Sequence, residues 1–219
     1  MYYIIASKII DFTNPTEIAA YYDNGYLFGR VEKGYSYKTR SLRIDLSKFE
    51  FSSENRRVAN KFPNYKLAIL NLPLAQDEYD WRIPKLAKDF YNTKFPNEKF
   101  SANKIKELIS QDNQFNKLFK YSLDNNTVGY SICYQDSKIL HYSYPFYDLN
   151  LVNTNLGMFM ILESIRYAKS QNLDYFYIGG ATRKADKYKL QFKGLEWHTG
   201  TSWSTDLIEL KNILALSDS

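Results

Sequence analysis

Few side chains in this sequence have the types and spacing that covalent catalysis needs. The single cysteine, Cys133, lies within a strand pattern and reads as core rather than nucleophile. The two histidines, His141 and His198, stand far apart and give no metal-ligand spacing. One cysteine also excludes a disulfide within the chain and a four-cysteine zinc site. The remaining candidates work without covalent chemistry. Gly157 opens a helix beside Leu156, where exposed N–H groups and the helix dipole favour an anion, or where glycine serves only close packing. Arg56 and Arg57, adjacent on a short helix, either supply bidentate donors for phosphate or carboxylate or form a solvated basic face. Asp148 follows Tyr147 at the end of a strand, placed to act as a base, to bind an ammonium group or to cap a turn.

The elements that must position these groups alternate in type. A strand over residues 2–10 precedes Asn14 and Pro15, which introduce a short helix over 16–22. Asp23, Asn24 and Gly25 form a turn signal, and β-leaning segments lead to the alternating Arg43-Ile44-Asp45-Leu46. Ser52, Ser53 and Glu54 start a second helix that carries Arg56 and Arg57 and stops before Pro63. A strand over 65–72 is followed by amphipathic helices over 84–93 and 101–119, the latter marked by Ile105, Leu108, Ile109 and Leu118. A hairpin over 119–134, a strand over 139–147, a helix over 155–170 and a buried strand over 175–178 complete the pattern.

The composition sets limits. The 219 residues are 44% hydrophobic, enough for a core and too apolar for disorder. No run of about eighteen apolar residues exists, and the N-terminus lacks the basic and apolar regions of an export signal, so a reducing cytoplasm is expected and no membrane partner. The net charge of +5, with 20 tyrosines and 14 phenylalanines, suits stacking onto unpaired nucleotides, or else reflects genomic base composition.

The order strand, strand, helix, strand, helix in the C-terminal part resembles the GNAT acyltransferase fold. That resemblance implies an α/β chain whose mixed, mainly antiparallel sheet is flanked by helices, with two strands splaying apart around the acyl donor. Residues 1–75 then form an N-terminal part and 76–219 the GNAT-like part, or the two make one compact unit. In acetyltransferases of that fold the helix opening binds the coenzyme A pyrophosphate, usually with two glycines and a basic residue. Here there is one glycine and no Arg or Lys between Asn150 and Arg166.

Further matches are more specific. Tyr147-Asp148, then Asn155-Leu156-Gly157, then Leu173-Asp174-Tyr175-Phe176-Tyr177-Ile178-Gly179, then Tyr188-Lys189-Leu190-Gln191-Phe192 through Glu196, and finally Gly200 to Trp203 follow one another in order. So do Gly25-Tyr26, Arg43, Phe49, Ser53 and Arg56-Arg57-Val58 upstream. This series resembles the arginyl- and leucyl-tRNA–protein transferase family, as a divergent member. Where the family's N-terminal cysteines should fall, the chain has Tyr35-Ser36-Tyr37. Leu149 and Gly194 replace family prolines, and Ala185-Asp186-Lys187 replaces a Lys-Met pair.

The resemblance implies transfer of arginine or leucine from aminoacyl-tRNA to the N-terminal α-amine of a protein, as in N-degron tagging. It implies no cofactor and no metal, with the charged tRNA as co-substrate; coenzyme A would replace it in the acetyltransferase reading. Asp148 and Tyr147 are the implied catalytic residues. Arg43, Arg56, Arg57, Leu156, Gly157, Tyr177, Gly179, Tyr188 and Lys189 are the implied substrate and tRNA contacts. A binding module that keeps the fold without turnover is the remaining alternative.

Overall fold

The computed structural model describes residues 3–96 and 100–216, side chains at 152 and 153 excepted, so Tyr2 of the expected first strand lies outside the described residues. The chain forms two compact units interleaved in sequence. The first comprises Met1–Ser52, Asp136–His141 and Ala168–Ser219; the second comprises Ser53–Gln135 and Tyr142–Tyr167.

In the first unit, β1 (Ala6–Ile9), β2 (Tyr26–Phe28) and β3 (Tyr35–Lys38) form an antiparallel sheet ordered β1-β3-β2. Between β1 and β2 lies α1 (Pro15–Asp23). Its start is legible chemistry: the Asn14 side chain accepts from the N–H groups of Thr16 and Glu17, and Pro15 occupies the first turn. Gly25 follows at φ +78°, and a Cβ there would stand 2.3 Å from the His198 ring. Glycine is required on both counts.

The same unit holds β4 (Ser41–Asp45) between β9 (Tyr175–Gly180) and β10 (Leu195–His198), with β11 (Trp203–Ser204) beyond β10, all antiparallel. β9 also pairs in parallel with the opening residues of β8 (Ile139–Tyr147), from Ile139↔Tyr175 to His141↔Tyr177, where that ladder ends. Leu42, Ile44 and Phe176 are fully buried. Asp206 caps α6 (Leu207–Leu216) by accepting from the N–H groups of Ile208 and Glu209, both at 2.9 Å.

In the second unit β5 (Tyr65–Asn71) pairs antiparallel with β6 (Lys117–Leu123), and β6 with β7 (Asn126–Gln135). The rest of β8 is the neighbour of β7. Asp124 and Asn125 join β6 to β7 with φ values of 49° and 65°, the left-handed pair that a two-residue hairpin requires. Tyr121 of β6 is buried, and its hydroxyl meets Ser131 Oγ of β7 at 3.1 Å and Ser164 Oγ of α5 (Leu156–Ser170) at 2.6 Å. This network fastens α5 to the sheet face and leaves the phenol satisfied.

The other helices are α2 (Ser53–Ala59), α3 (Arg82–Lys94) and α4 (Ala102–Ser110). Among the described residues no helix is long and apolar enough to cross a membrane.

One expected element is corrected. The helix read over 101–119 ends at Ser110, and Leu118 and Phe119 belong to β6. At about 100° per residue Leu118 stands about 180° around from Ile109, so the helical stripe was already broken there. Asn113 makes the break, donating to the carbonyls of Leu108 and Gln111 while accepting from Phe115 N. Apart from this the chain adopts the α/β architecture read from the sequence: mainly antiparallel pairing, one parallel ladder and accompanying helices.

Candidate functional site

The candidate residues fall into two groups, each within one unit. In the first unit β4 brings Arg43 among residues from three other strands. Its Nε donates to Glu196 Oε2 of β10 at 2.8 Å, and Asp23 lies 3.8 Å from its Nη1. The guanidinium plane lies 4.0 Å from the ring centroids of both Tyr175 and Trp203. Burial opposes its charge, but hydrogen bonds from the guanidinium to Tyr177 and Glu196 outweigh that and hold it above its ordinary value. Arg43 is therefore a permanent cation inside an aromatic sandwich, only 8% exposed.

Tyr177 is fully buried, its hydroxyl donating to the carbonyl of Tyr22 at 3.4 Å. Tyr22 in turn hydrogen-bonds His141 Nδ1 at 2.8 Å. His141 is enclosed, and burial pushes it down to about 3. Burial, then the charges of Lys38 and Arg43, push His198 down to about 4, and its Nδ1 accepts from Gly200 N at 3.1 Å. Both imidazoles are neutral at pH 7. Each serves as a packed hydrogen-bonding group.

Beyond Tyr177 the strand is irregular. Ser41 pairs with Gly180 and Arg43 with Tyr177, so β9 carries one extra residue there, a bulge in which Gly179 takes φ +82°. Lys189 lies on the 3-10 turn Lys184–Gln191 with its Nζ 2.8 Å from the Gly180 carbonyl and 3.2 Å from Asp186 Oδ1. The neighbouring Tyr188 ring is 49% exposed.

In the second unit Tyr147 ends β8 and lies between two glycines. A Cβ at Gly129 would stand 2.8 Å from Tyr147 Cβ, and one at Gly157 3.0 Å from its hydroxyl oxygen. Phe90 packs against the same ring at 4.7 Å. The tyrosine hydroxyl is thereby set over the first turn of α5, where Leu156, Gly157 and Met158 have no intrahelical acceptor for their N–H groups. Leu156 itself is a core residue, 1% exposed.

Asp148 starts the 3-10 turn Leu149–Thr154, one oxygen accepting from Asn150 N at 2.9 Å, while its own N–H donates to Val128 O. Arg56 and Arg57 are both exposed on α2, and Arg57 is held by Glu54 through two contacts of 2.7 and 2.5 Å. None of the candidates lines the cleft of about 470 Å³ that the second unit opens between Phe62, Tyr65, Phe159 and Glu163.

Cys133 is buried in β7, and burial pushes its thiol up to about 12, so no thiolate is available at neutral pH. The partners that sequence reading left without a role are Asp186 and Glu196, which hold Lys189 and Arg43. For Asp186 there was a signal, because an acid three residues before a lysine on a helical turn faces it. For Glu196 there was none beyond its place in a motif.

The second unit's group offers first-turn N–H donors, a positioned hydroxyl and a half-exposed carboxylate, and the one thiol of the sequence is buried. Such groups can act by positioning and by hydrogen bonding to a developing negative charge. The family described as "Arginine-tRNA-protein transferase, C terminus" matches residues 85–199, more than half of the chain. The chain belongs to this family and is an acyltransferase of the aminoacyl-tRNA–protein transferase type.

An aspartate/glutamate leucyltransferase of Campylobacter jejuni is 29% identical over 177 residues, covering 74% of this chain and 69% of its own length. One from Acinetobacter baumannii is 27% identical over 171 residues, covering 74% and 60%. Among solved structures, a GCN5-related glucosamine N-acetyltransferase region of a fungal β-N-acetylglucosaminidase is similar over 83% of this chain and 21% of that one, with 11% identity and a TM-score of 0.49.

Proposed function

We propose that the chain transfers leucine from leucyl-tRNA to the N-terminal α-amine of proteins that begin with aspartate or glutamate, marking them for degradation in the cytoplasm. The observation that carries this reading is the 29% identity with leucyltransferases of that acceptor class along 74% of the chain. In the reaction the amine nitrogen attacks the ester carbonyl. A C–N bond forms, the bond from that carbon to the ribose oxygen breaks, and a proton passes from the amine to the leaving oxygen. An α-amine has a pKa of roughly 8, so one mild base suffices.

Asp148 is that base, through the oxygen that makes no hydrogen bond among the described residues. Tyr147 and the first-turn N–H groups of α5 steady the carbonyl oxygen as it gains charge. Arg56 and Arg57 face outward for the acidic acceptor or for phosphate, and the exposed Tyr188 ring stacks on a terminal base.

The test is incubation of the purified protein with leucyl- or arginyl-tRNA and peptides beginning with Asp, Glu, Lys or Ala, read by mass. A leucyl increment on the Asp and Glu peptides alone, abolished by ribonuclease and falling steeply with salt, is expected. Arginyl transfer, or acetylation from acetyl-coenzyme A without tRNA, overturns it.

Gly157→Ala tests the role of Tyr147. The added methyl meets the tyrosine oxygen at 3.0 Å and must push it aside, while alanine is well accepted in the first turn of a helix, with a gain below the roughly 1 kcal/mol of a helix interior. Leucyl transfer is expected to fall about tenfold or more with the melting temperature unchanged or raised. Wild-type kcat/KM in this variant would remove Tyr147 from the reaction.

A further inference from the structure

Lys189 has the sequence position of a phosphate contact but not the geometry of one. Its side chain is 13% exposed and turned inward. The ammonium group donates to the carbonyl of Gly180 at 2.8 Å, pairs with Asp186 at 3.2 Å, and lies 3.8 Å from the position a Cβ on Gly179 would take. Asp186 completes the clamp from the other side. Its Oδ2 accepts from the N–H groups of Thr182 and Arg183, each at 3.0 Å, and its side chain is 9% exposed. Ala181 N donates to Arg40 O at 2.9 Å. Every residue from Gly180 to Arg183 is thus tethered through its backbone, and three of the four tethers converge on one ion pair.

The clamped segment is the part of β9 that most needs holding. The ladder to β8 has stopped at Tyr177, so among the described residues β9 pairs from Ile178 onward with β4 alone, through a bulge with Gly179 in the left-handed region. A bulged strand end with one partner is free to re-register unless something fixes it.

We propose that Lys189, working with Asp186, is a positioning residue that fixes the bulged end of β9 for the acyl-transfer step and does not hold tRNA phosphate. The kinetic half of this proposal rests on the leucyltransferase reading, whereas the structural half does not. β9 carries Tyr177 and Gly179, both expected substrate contacts, so a loose β9 end misplaces the reacting substrate, lowering the rate of the chemical step and leaving tRNA binding intact.

Both halves are tested on the full chain with Lys189→Met, Asp186→Asn and the double variant. Hydrogen exchange in the free protein is expected to quicken about tenfold or more at residues 179–183 in each single variant, with no further gain in the double variant and no change in the β6–β7 hairpin. Exchange at wild-type rates overturns the proposal whether or not the protein transfers leucine. Lys189→Arg, which keeps a cation within reach of Asp186, provides the same readout should the methionine variant fail to fold, and its exchange is expected to lie between the two. Where leucyl transfer is measured, kcat is expected to fall about tenfold with KM for tRNA unchanged. A plot of log KM against log salt keeps its slope. A phosphate contact would instead lower that slope by about 0.7–0.9 and raise KM, and that result overturns the proposal.

Discussion

Replacing Arg43 with leucine is expected to lower the unfolding free energy by about 3–5 kcal/mol, the cost of breaking a largely buried ion pair by removing one partner. Glu196 is 13% exposed and takes its hydrogen bond from Arg43 Nε at 2.8 Å, so the substitution strands a carboxylate that water barely reaches. Lys48 approaches the other oxygen at 3.7 Å but is itself 61% exposed, and a solvated lysine at that range replaces little of what is lost. The Tyr175 and Trp203 rings lose the cation between them as well, worth about 0.5–2 kcal/mol each.

Arg43→Lys keeps the charge and loses the planar fork and the stacking, so it should fall between the two. Pairing Arg43→Leu with Glu196→Leu should recover part of the loss, because the stranded charge is gone. Urea unfolding with an unchanged m-value reads all four proteins. A loss under about 1 kcal/mol for Arg43→Leu would mean that solvent screens the pair after all.

Arg43 also marks the limit of what the sequence discloses. Its strand reads as alternating, and alternation assigns Arg43 to a wet face. The residues that cover that face, Tyr175, Trp203 and Glu196, lie well over a hundred positions away and reach it only through the strand order β11-β10-β4-β9. Local chemistry was legible by contrast. Asn14 and Pro15 announce α1, Ser53 and Glu54 announce α2, and the strand read after the Asp136-Ser137 turn is β8 with its observed ends.

The helix expected over 101–119 stops at Ser110, and Leu118 falls out of helical phase with Ile109. Lys189 shows a second kind of limit. A lysine stem reaches in either direction, and this one turns inward to Asp186 on its own turn and to the Gly180 carbonyl beside the β9 bulge, which the local sequence does not show. At the other group, Tyr147-Asp148 and Gly157 were legible as a motif. Their contact, a tyrosine lodged between Gly129 and Gly157, was not, since nothing near Gly129 in the sequence points to Tyr147.

The second large effect is expected from His141 and depends on pH. The ring is 1% exposed and accepts or shares a proton with the Tyr22 hydroxyl at 2.8 Å, and burial lowers its pKa from 6.5 to about 3. The unfolded chain therefore binds a proton that the folded chain refuses throughout the interval between those two values. Stability from this group is fully present above pH 6.5 and is lost as pH falls toward 3. Each pKa unit is worth about 1.4 kcal/mol, so His141 alone should remove about 3 kcal/mol between pH 7 and pH 4.

Carboxylates and His198 titrate in the same range, and comparison of variants isolates the term. His141→Gln has no charge to acquire and keeps an acceptor for Tyr22. His141→Phe leaves the Tyr22 hydroxyl without its imidazole partner, at a cost of about 1–3 kcal/mol that does not vary with pH. Both variants should lose about 3 kcal/mol less than wild type between pH 7 and pH 4, whatever their stability at pH 7. Were all three profiles parallel, the imidazole would be taking up its proton in the folded state, and its enclosure with Tyr22 would not survive acid.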